Sequence, residues 1–219
     1  MPSVTFEGEQ IACKDAVDKE ENLGIDTDGL VAYYKLDGDA KDSAGNNNGV
    51  INGNPANVGG VFGDALSFDG VDDFINVWDF GNVAPTSEIT ISMWLKMSIT
   101  KQQSAIILNP DDGLNRINFH PCYSNGNTYW DFGDITMGGR LSKANPSDCA
   151  DNRWHHYALT ASSSSNSMNI YLDGVLWTSK SGMDNFSQTI VDLQIGGRTS
   201  YFLNGVIDEL KIYNKAKTY

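Results

Sequence analysis

Gly63-Asp64-Ala65-Leu66-Ser67-Phe68-Asp69-Gly70-Val71-Asp72-Asp73-Phe74-Ile75-Asn76-Val77 is the stretch whose reading decides the fold. Apolar and polar residues alternate through Ala65–Phe68 and again through Phe74–Val77, the period of half-buried strands. Between them lies Asp69-Gly70-Val71-Asp72-Asp73, a short acidic connection whose glycine is free to take positive φ. Two strands joined by so tight a polar turn predict a β-hairpin.

The same alternation extends in both directions. Upstream, Leu30, Ala32, Tyr34 and Leu36 are in phase as a first strand, followed by an oxygen-rich loop from Asp37 to Gly49. Downstream, Glu88-Ile-Thr-Ile-Ser-Met-Trp-Leu-Lys96 puts Ile89, Ile91, Met93 and Leu95 on one face, and Trp94 reads as packing. Shorter strands are predicted at 104–108, 116–120, 128–132, 154–160, 193–195 and 205–213. Asn169–Trp177 reads as a hairpin around Asp173-Gly174. No long helical period and no fixed repeat is present. Many short strands at close spacing predict an all-β chain, an antiparallel β-sandwich or barrel.

Composition bounds the function. The 219 residues suit one large sandwich, and the formal net charge of −13 with 15 Lys plus Arg argues against nucleic-acid binding. No run approaches the roughly 20 apolar residues of a membrane span, so no membrane insertion is expected. Residues 1–28 are charged and lack alternation, and read as an N-terminal arm or linker that can dock on a protein neighbour. The first ten residues hold no apolar core like that of a signal peptide. Of the three cysteines, Cys13, Cys122 and Cys149, the last two lie in Asn/Ser/Pro-rich segments and either bridge or remain free thiols.

Several segments together resemble the laminin-G-like, concanavalin A-like jelly-roll family. Ser67-Phe-Asp-Gly-Val-Asp-Asp-Phe74 is similar to its signature, and Gly29–Asn46 to its opening strand and Asp-Ser-x-Gly-Asn loop. Glu88–Lys96, Arg153-Trp-His-His-Tyr-Ala-Leu-Thr160, Ile170-Tyr-Leu-Asp-Gly-Val-Leu176 and Gly205–Ala216 follow in the family's order. The resemblance covers residues 29–219 and implies a laminin-G-like jelly roll. It constrains function weakly, because the fold hosts lectins, adhesion domains and polysaccharide hydrolases and lyases.

Candidate sites follow from residue chemistry. Val206, Asp208, Leu210 and Ile212 alternate, which predicts a carboxylate in phase with core residues; such a charge needs a cation or hydrogen-bond donors. The family places the first and last strands side by side, which would bring Asp208 to the Asp37–Asn48 loop. One reading is a Ca²⁺ site using Asp37, Asp39, Asp42, the carbonyl region near Asn47, and Asp208. The other is that Asp208 accepts backbone N–H groups without a metal. Asp69, Asp72 and Asp73 offer a second place for a cation, but read first as turn residues that keep the edge solvated. His155 and His156 point to opposite faces and read as structural.

For a glycan ligand the expected apparatus is aromatic faces plus a few fixed polar groups. Trp78, Phe80, Arg116, His120, Trp130, Arg140 and Tyr201 are the candidates, with Asn118, Tyr129, Trp177 and Arg198 also available. Glycosidase chemistry needs two carboxylates across a cleft. The Glu-x-Asp-x-x-Glu pattern is missing after Glu88, Asp208 and Glu209 are adjacent, and the motifs of alginate-type lyases are absent. Asn185-Phe-Ser187 fits a glycosylation sequon. The expectation is a non-catalytic, calcium-supported module for glycans at an extracellular, cell or particle surface. The alternative is a structural virion or adhesin component whose partner is protein, and the least favoured is a polysaccharide hydrolase or lyase.

Overall fold

The computed structural model describes residues 26–85, 87–108, 114–183 and 189–219. The arm therefore falls outside the described residues except for Asp26–Asp28, as does the sequon at Asn185. Among the described residues the chain forms two antiparallel sheets and one turn of 3₁₀ helix at Phe80–Asn82. No helix among them is long and apolar enough to cross a membrane.

With strands numbered in chain order, the first sheet has eight. Its spatial order is β13 (Val175–Ser181), β12 (Ser167–Leu172), β11 (Trp154–Ser162), β6 (Glu88–Lys96), β15 (Asn204–Tyr213), β4 (Asp64–Asp69) and β3 (Ala56–Gly59). The eighth, β1 (Leu30–Tyr34), pairs with β15 beyond the end of β4, so the first and last strands are neighbours. The second sheet, of seven strands, runs β10 (Arg140–Ala144), β9 (Asn127–Asp134), β8 (Asn115–His120), β7 (Ile106–Leu108), β14 (Leu193–Ile195), β5 (Phe74–Val77) and β2 (Val50–Asn52).

Strict alternation builds the core between the sheets. Ile89, Ile91, Met93 and Leu95 of β6 face inward with Tyr157 and Leu159 of β11, against Ile117, Phe119, Trp130 and Phe132 of the other sheet. The Phe119 and Tyr157 rings meet across the interface at 5.3 Å, and Trp130 Nε1 donates to the Thr160 carbonyl at 3.1 Å. Burying each such side chain contributes about 1.5–3 kcal/mol. At the β12–β13 turn, Asp173 (φ 51°) and Gly174 (φ 76°) both take positive φ, the geometry a two-residue hairpin demands.

Two local expectations are corrected. β4 and β5 do not pair: β4 lies between β15 and β3, and β5 between β14 and β2, in the opposite sheet. The acidic connection is a corner that carries the chain from one sheet to the other. Asp73 holds it by accepting from Asn54 N (2.6 Å) and Asp69 N (3.0 Å). A corner and a hairpin share one sequence signature, because both need a polar turn between alternating strands.

The second correction concerns Asp208, which is not in phase with Leu210 and Ile212. Glu209 takes φ 54°, and the register between β15 and β6 shifts between Asp208 and Lys211. This bulge reverses the alternation, so Ile207 faces the core before it while Leu210 and Ile212 do so after it. Asp208 sits on the outer side opposite Trp94, under the Gly60–Phe62 turn. The short strands β2, β3 and β10, absent from the sequence reading, are mostly exposed and carry no apolar alternation.

Candidate functional site

The outer face of the seven-stranded sheet carries a row of polar residues. Cross-strand register aligns Asn76, Gln194, Ile107, Asn118, Asp131 and Arg140 on successive strands from β5 to β10. Residues directly opposite across paired strands share a face. Most of this row is buried although it points away from the core: Asn76 is 1% exposed, Asn118 2% and Asp131 0%. Gln194 Nε2 donates to Asn76 Oδ1 at 3.0 Å, but Asn118 Oδ1 and Gln194 Oε1 have no hydrogen-bond partner among the described residues. Buried acceptors without donors are rare in folded proteins and mark places where a ligand or water completes the set.

A cleft of about 440 Å³ opens over this row at the β8–β10 end, within the range of small-molecule sites. Alternation on β8 delivers Arg116, Asn118 and His120 to it, while β9 supplies Tyr129 and β10 supplies Arg140. The β8–β9 turn adds Tyr123 and Asn125, and the loop from β14 to β15 adds Arg198, Thr199 and Tyr201. Beneath the floor, Asp131 aims two guanidinium groups. Arg140 donates to both its oxygens (Nε to Oδ1 2.6 Å, Nη2 to Oδ2 2.7 Å), and Arg116 Nε donates to Oδ2 at 2.8 Å. Such bidentate pairs are short and directional. The Arg140 guanidinium also lies 4.5 Å from the centre of the Tyr129 ring.

His120 stands at the centre of an aromatic group. Its ring is 5.4 Å from Tyr123, 5.9 Å from Tyr201 and 6.3 Å from Tyr129. Burial holds its pKa below the ordinary histidine value, against the opposing pull of Asp131. The ring is therefore neutral at pH 7, with Nδ1 donating to the Gln103 carbonyl at 2.8 Å. That tautomer leaves Nε2 as an acceptor. The cleft thus offers cationic donors, neutral acceptors and tyrosine edges.

Of the residues singled out from sequence, Arg116, His120, Arg140 and Tyr201 come together here, with Asn118, Tyr129 and Arg198. Three others do not join them. Trp130 and Phe80 are fully buried in the core and present no ring face to a ligand. Trp130 lies between Tyr129 and Asp131, so alternation turns it inward. Trp78 is 63% exposed at the end of β5, outside the cleft. Asp131, Tyr123 and Asn125 were missed. Alternation with Tyr129 was the available signal for Asp131, but its pairing with Arg140 needs the β9–β10 register.

The residues of the expected calcium set are engaged largely by groups of the protein itself, Asp208 Oδ1 alone being buried without a hydrogen-bond partner among the described residues. Asp42 accepts four N–H bonds, from Tyr33, Ala44 and the backbone and side chain of Asn47, which fill the roughly four lone-pair directions of a carboxylate. The Asn47 carbonyl accepts from Tyr34 OH, Asp37 accepts from Asp64 N, and Asp39 pairs with Lys41. Asp208 Oδ2 accepts from Val61 N (2.6 Å) and Phe62 N (3.1 Å). The oxygens of these acids do not form a cluster among the described residues.

Asp69, Asp72 and Asp73 do lie together, yet Asp69 caps the Val71 amide and Asp73 holds the corner. His155 Nδ1 is 2.8 Å from Asp173 Oδ2, and His156 Nε2 is 2.9 Å from Ser92 Oγ; both are partly buried. Burial lowers the His156 pKa to about 4. Cys122 and Cys149 form a disulfide beside the cleft, their Cα atoms 5.9 Å apart.

The family model of the concanavalin A-like lectin/glucanases superfamily matches residues 69–219. Among solved structures, the chain is similar to domain 4 of AbnA, a GH43 extracellular arabinanase from Geobacillus stearothermophilus, in complex with arabinotriose. Identity is 24% and the TM-score 0.70, over 86% of this chain and 94% of that one. It is also similar to the binding domain of Paraclostridial Mosquitocidal Protein 1, with 18% identity, TM-score 0.65, and 87% of this chain against 50% of that one. The binding domain of Botulinum Neurotoxin DC in complex with SialylT matches at 12% identity and TM-score 0.62, over 87% and 49%. The chain spans about half the length of these toxin domains, and likenesses this distant show the fold alone. No curated protein matches.

Proposed function

Because the chain belongs to the concanavalin A-like lectin/glucanase superfamily, we propose that it is a glycan-recognition module and that its ligand occupies the cleft on the seven-stranded sheet. The observation that carries this reading is Asn118 Oδ1, a buried acceptor without a hydrogen-bond partner among the described residues, which lines the cleft together with the tyrosine rings. Sugar hydroxyls are donors of the kind such acceptors need. No carboxylate lines the cleft among the described residues, which supports recognition over the two-acid chemistry of glycosidases. An extracellular or surface setting is consistent with the Cys122–Cys149 disulfide and belongs to the same proposal.

A glycan array followed by calorimetry on the best hit tests it. Tyr129→Ala and Asn118→Ala are expected to weaken binding at least tenfold. Trp78→Ala, outside the cleft, is expected to change it less than twofold. Binding lost with Trp78→Ala but kept in both cleft variants would refute this location.

A further inference from the structure

We infer that the chain binds a divalent transition metal ion, zinc foremost, between His155 at the start of β11 and the carboxylates of Asp148 and Asp151 in the loop before it. One ligand atom from each of the three lies within 4.8 Å of the others. None of them lines the cleft, so this site and the glycan site stand or fall separately. The loop is fastened without help from an ion. Cys149 is bridged to Cys122, Asp151 N donates to the Asp148 carbonyl at 3.2 Å, and Asn152 N donates to the Met97 carbonyl at 2.8 Å. Arg153 engages Asp151 through its side chain at Oδ2 and its backbone N–H at Oδ1, which fixes that carboxylate beside the ring.

The imidazole decides the chemistry. A carboxylate accepts and cannot donate, so His155 Nδ1, 2.8 Å from Asp173 Oδ2, carries a proton. Asp173 is held in turn by His156 N at 2.8 Å. In the neutral ring Nε2 therefore presents a lone pair, and it is buried without a hydrogen-bond partner among the described residues. Asp151 Oδ1 stands 3.4 Å away. Two lone pairs that face each other need a cation between them, a proton or a metal. A proton would draw the atoms to about 2.7–2.9 Å, the length of a charge-assisted N–H···O bond. Zinc bonds of about 2.0–2.1 Å instead set tetrahedral ligands roughly 3.3–3.4 Å apart, which is the spacing of this pair. Asp148, with its side chain 47% exposed, completes the set by a small rotation, and water takes the fourth position. Asp173 behind His155 is the carboxylate that orients a metal-ligating ring. One imidazole nitrogen among carboxylate oxygens favours zinc over calcium, which collects six to eight oxygens.

The test titrates zinc into the metal-free chain by calorimetry, with calcium and magnesium as comparison ions, and follows the ring resonances of the three histidines by NMR. The expected result is one zinc per chain, bound at least tenfold tighter than calcium, with the His155 resonances shifting most. Melting temperature should rise by about 5–10 °C when zinc exceeds Kd a hundredfold. His155→Gln and Asp148→Asn should each weaken zinc binding at least tenfold. Asp173→Asn, which keeps an acceptor for His156 N and suits the positive φ of 51°, should weaken it as well by loosening the ring. If circular dichroism shows His155→Gln unfolded, Asp148→Asn, on an exposed side chain, decides the matter. No zinc binding by the unaltered chain, as expected if Nε2 is simply protonated, would overturn the inference. So would zinc binding that Asp148→Asn leaves unchanged, or calcium held as tightly as zinc.

Discussion

Asp131 and Asp208 are both fully buried, both on outer faces of their sheets, and handled in opposite ways. Asp131 meets two arginines with three charge-assisted hydrogen bonds. Asp208 meets only neutral amides, on one oxygen, and its Oδ1 has no partner among the described residues. Burial consequently raises the Asp208 pKa to about 7, against the lowering pull of the Phe62 and Val61 amides. The difference teaches that this scaffold buries an acid either among cations or under the amides of a turn. Asp131 fixes two guanidinium groups at the cleft floor, while Asp208 pins a turn where β15 changes partner from β4 to β1.

The sharpest way to break this contrast is Asp131→Ala. It removes the buried carboxylate that Arg116 and Arg140 share, and the expected loss is about 3–5 kcal/mol in urea denaturation. A loss near zero would mean the arginines are fully solvated and the acid is ornamental. Next comes the pH dependence contributed by Asp208. Its folded pKa, about 7, lies above the reference 3.8, so between these values the folded state holds a proton that the unfolded state has released. Stability therefore falls as pH rises from about 4 to 7 and levels off above, by at most about 4 kcal/mol. Asp208→Asn keeps an acceptor for Val61 and Phe62 and should flatten that slope; an unchanged slope would assign it to another group.

A third acid sharpens the comparison from the middle. Asp42 is held by four N–H donors and no cation. Asp42→Asn exchanges an acceptor for a donor facing donors, with an expected cost of about 1–3 kcal/mol in chemical denaturation. The smallest expected effect is that of calcium. With Asp37, Asp39, Asp42 and Asp208 each engaged by N–H groups or lysine, melting temperature in millimolar calcium should match that in chelator. A rise of several degrees would restore a cation site to this loop.

Much of the site was legible residue by residue, though not as a place. Arg116, His120, Arg140 and Tyr201 stand out chemically, and alternation along β8 shows that Arg116 and His120 share a face. Nothing local distinguishes Tyr129 from Trp130, whose roles differ because one lies outward and its neighbour inward. The larger ring invited the ligand role and the core took it. The Asp208 phase failed for a related reason: a bulge is one residue of positive φ, and Glu209 gives no glycine to announce it.

Alternation and turn chemistry by themselves determined an all-β chain, the position of its longest strands and the hairpin at Asp173-Gly174. These are properties of neighbouring residues, since side-chain period and allowed φ are local. Tertiary structure alone decided that Asp69–Asp73 turns a corner between sheets, that Asp208 faces outward, and that two arginines from different strands converge on Asp131. Those outcomes depend on which strand edge finds which partner, and in what register. That choice is made by burial summed over the whole core, and no short stretch of sequence contains it.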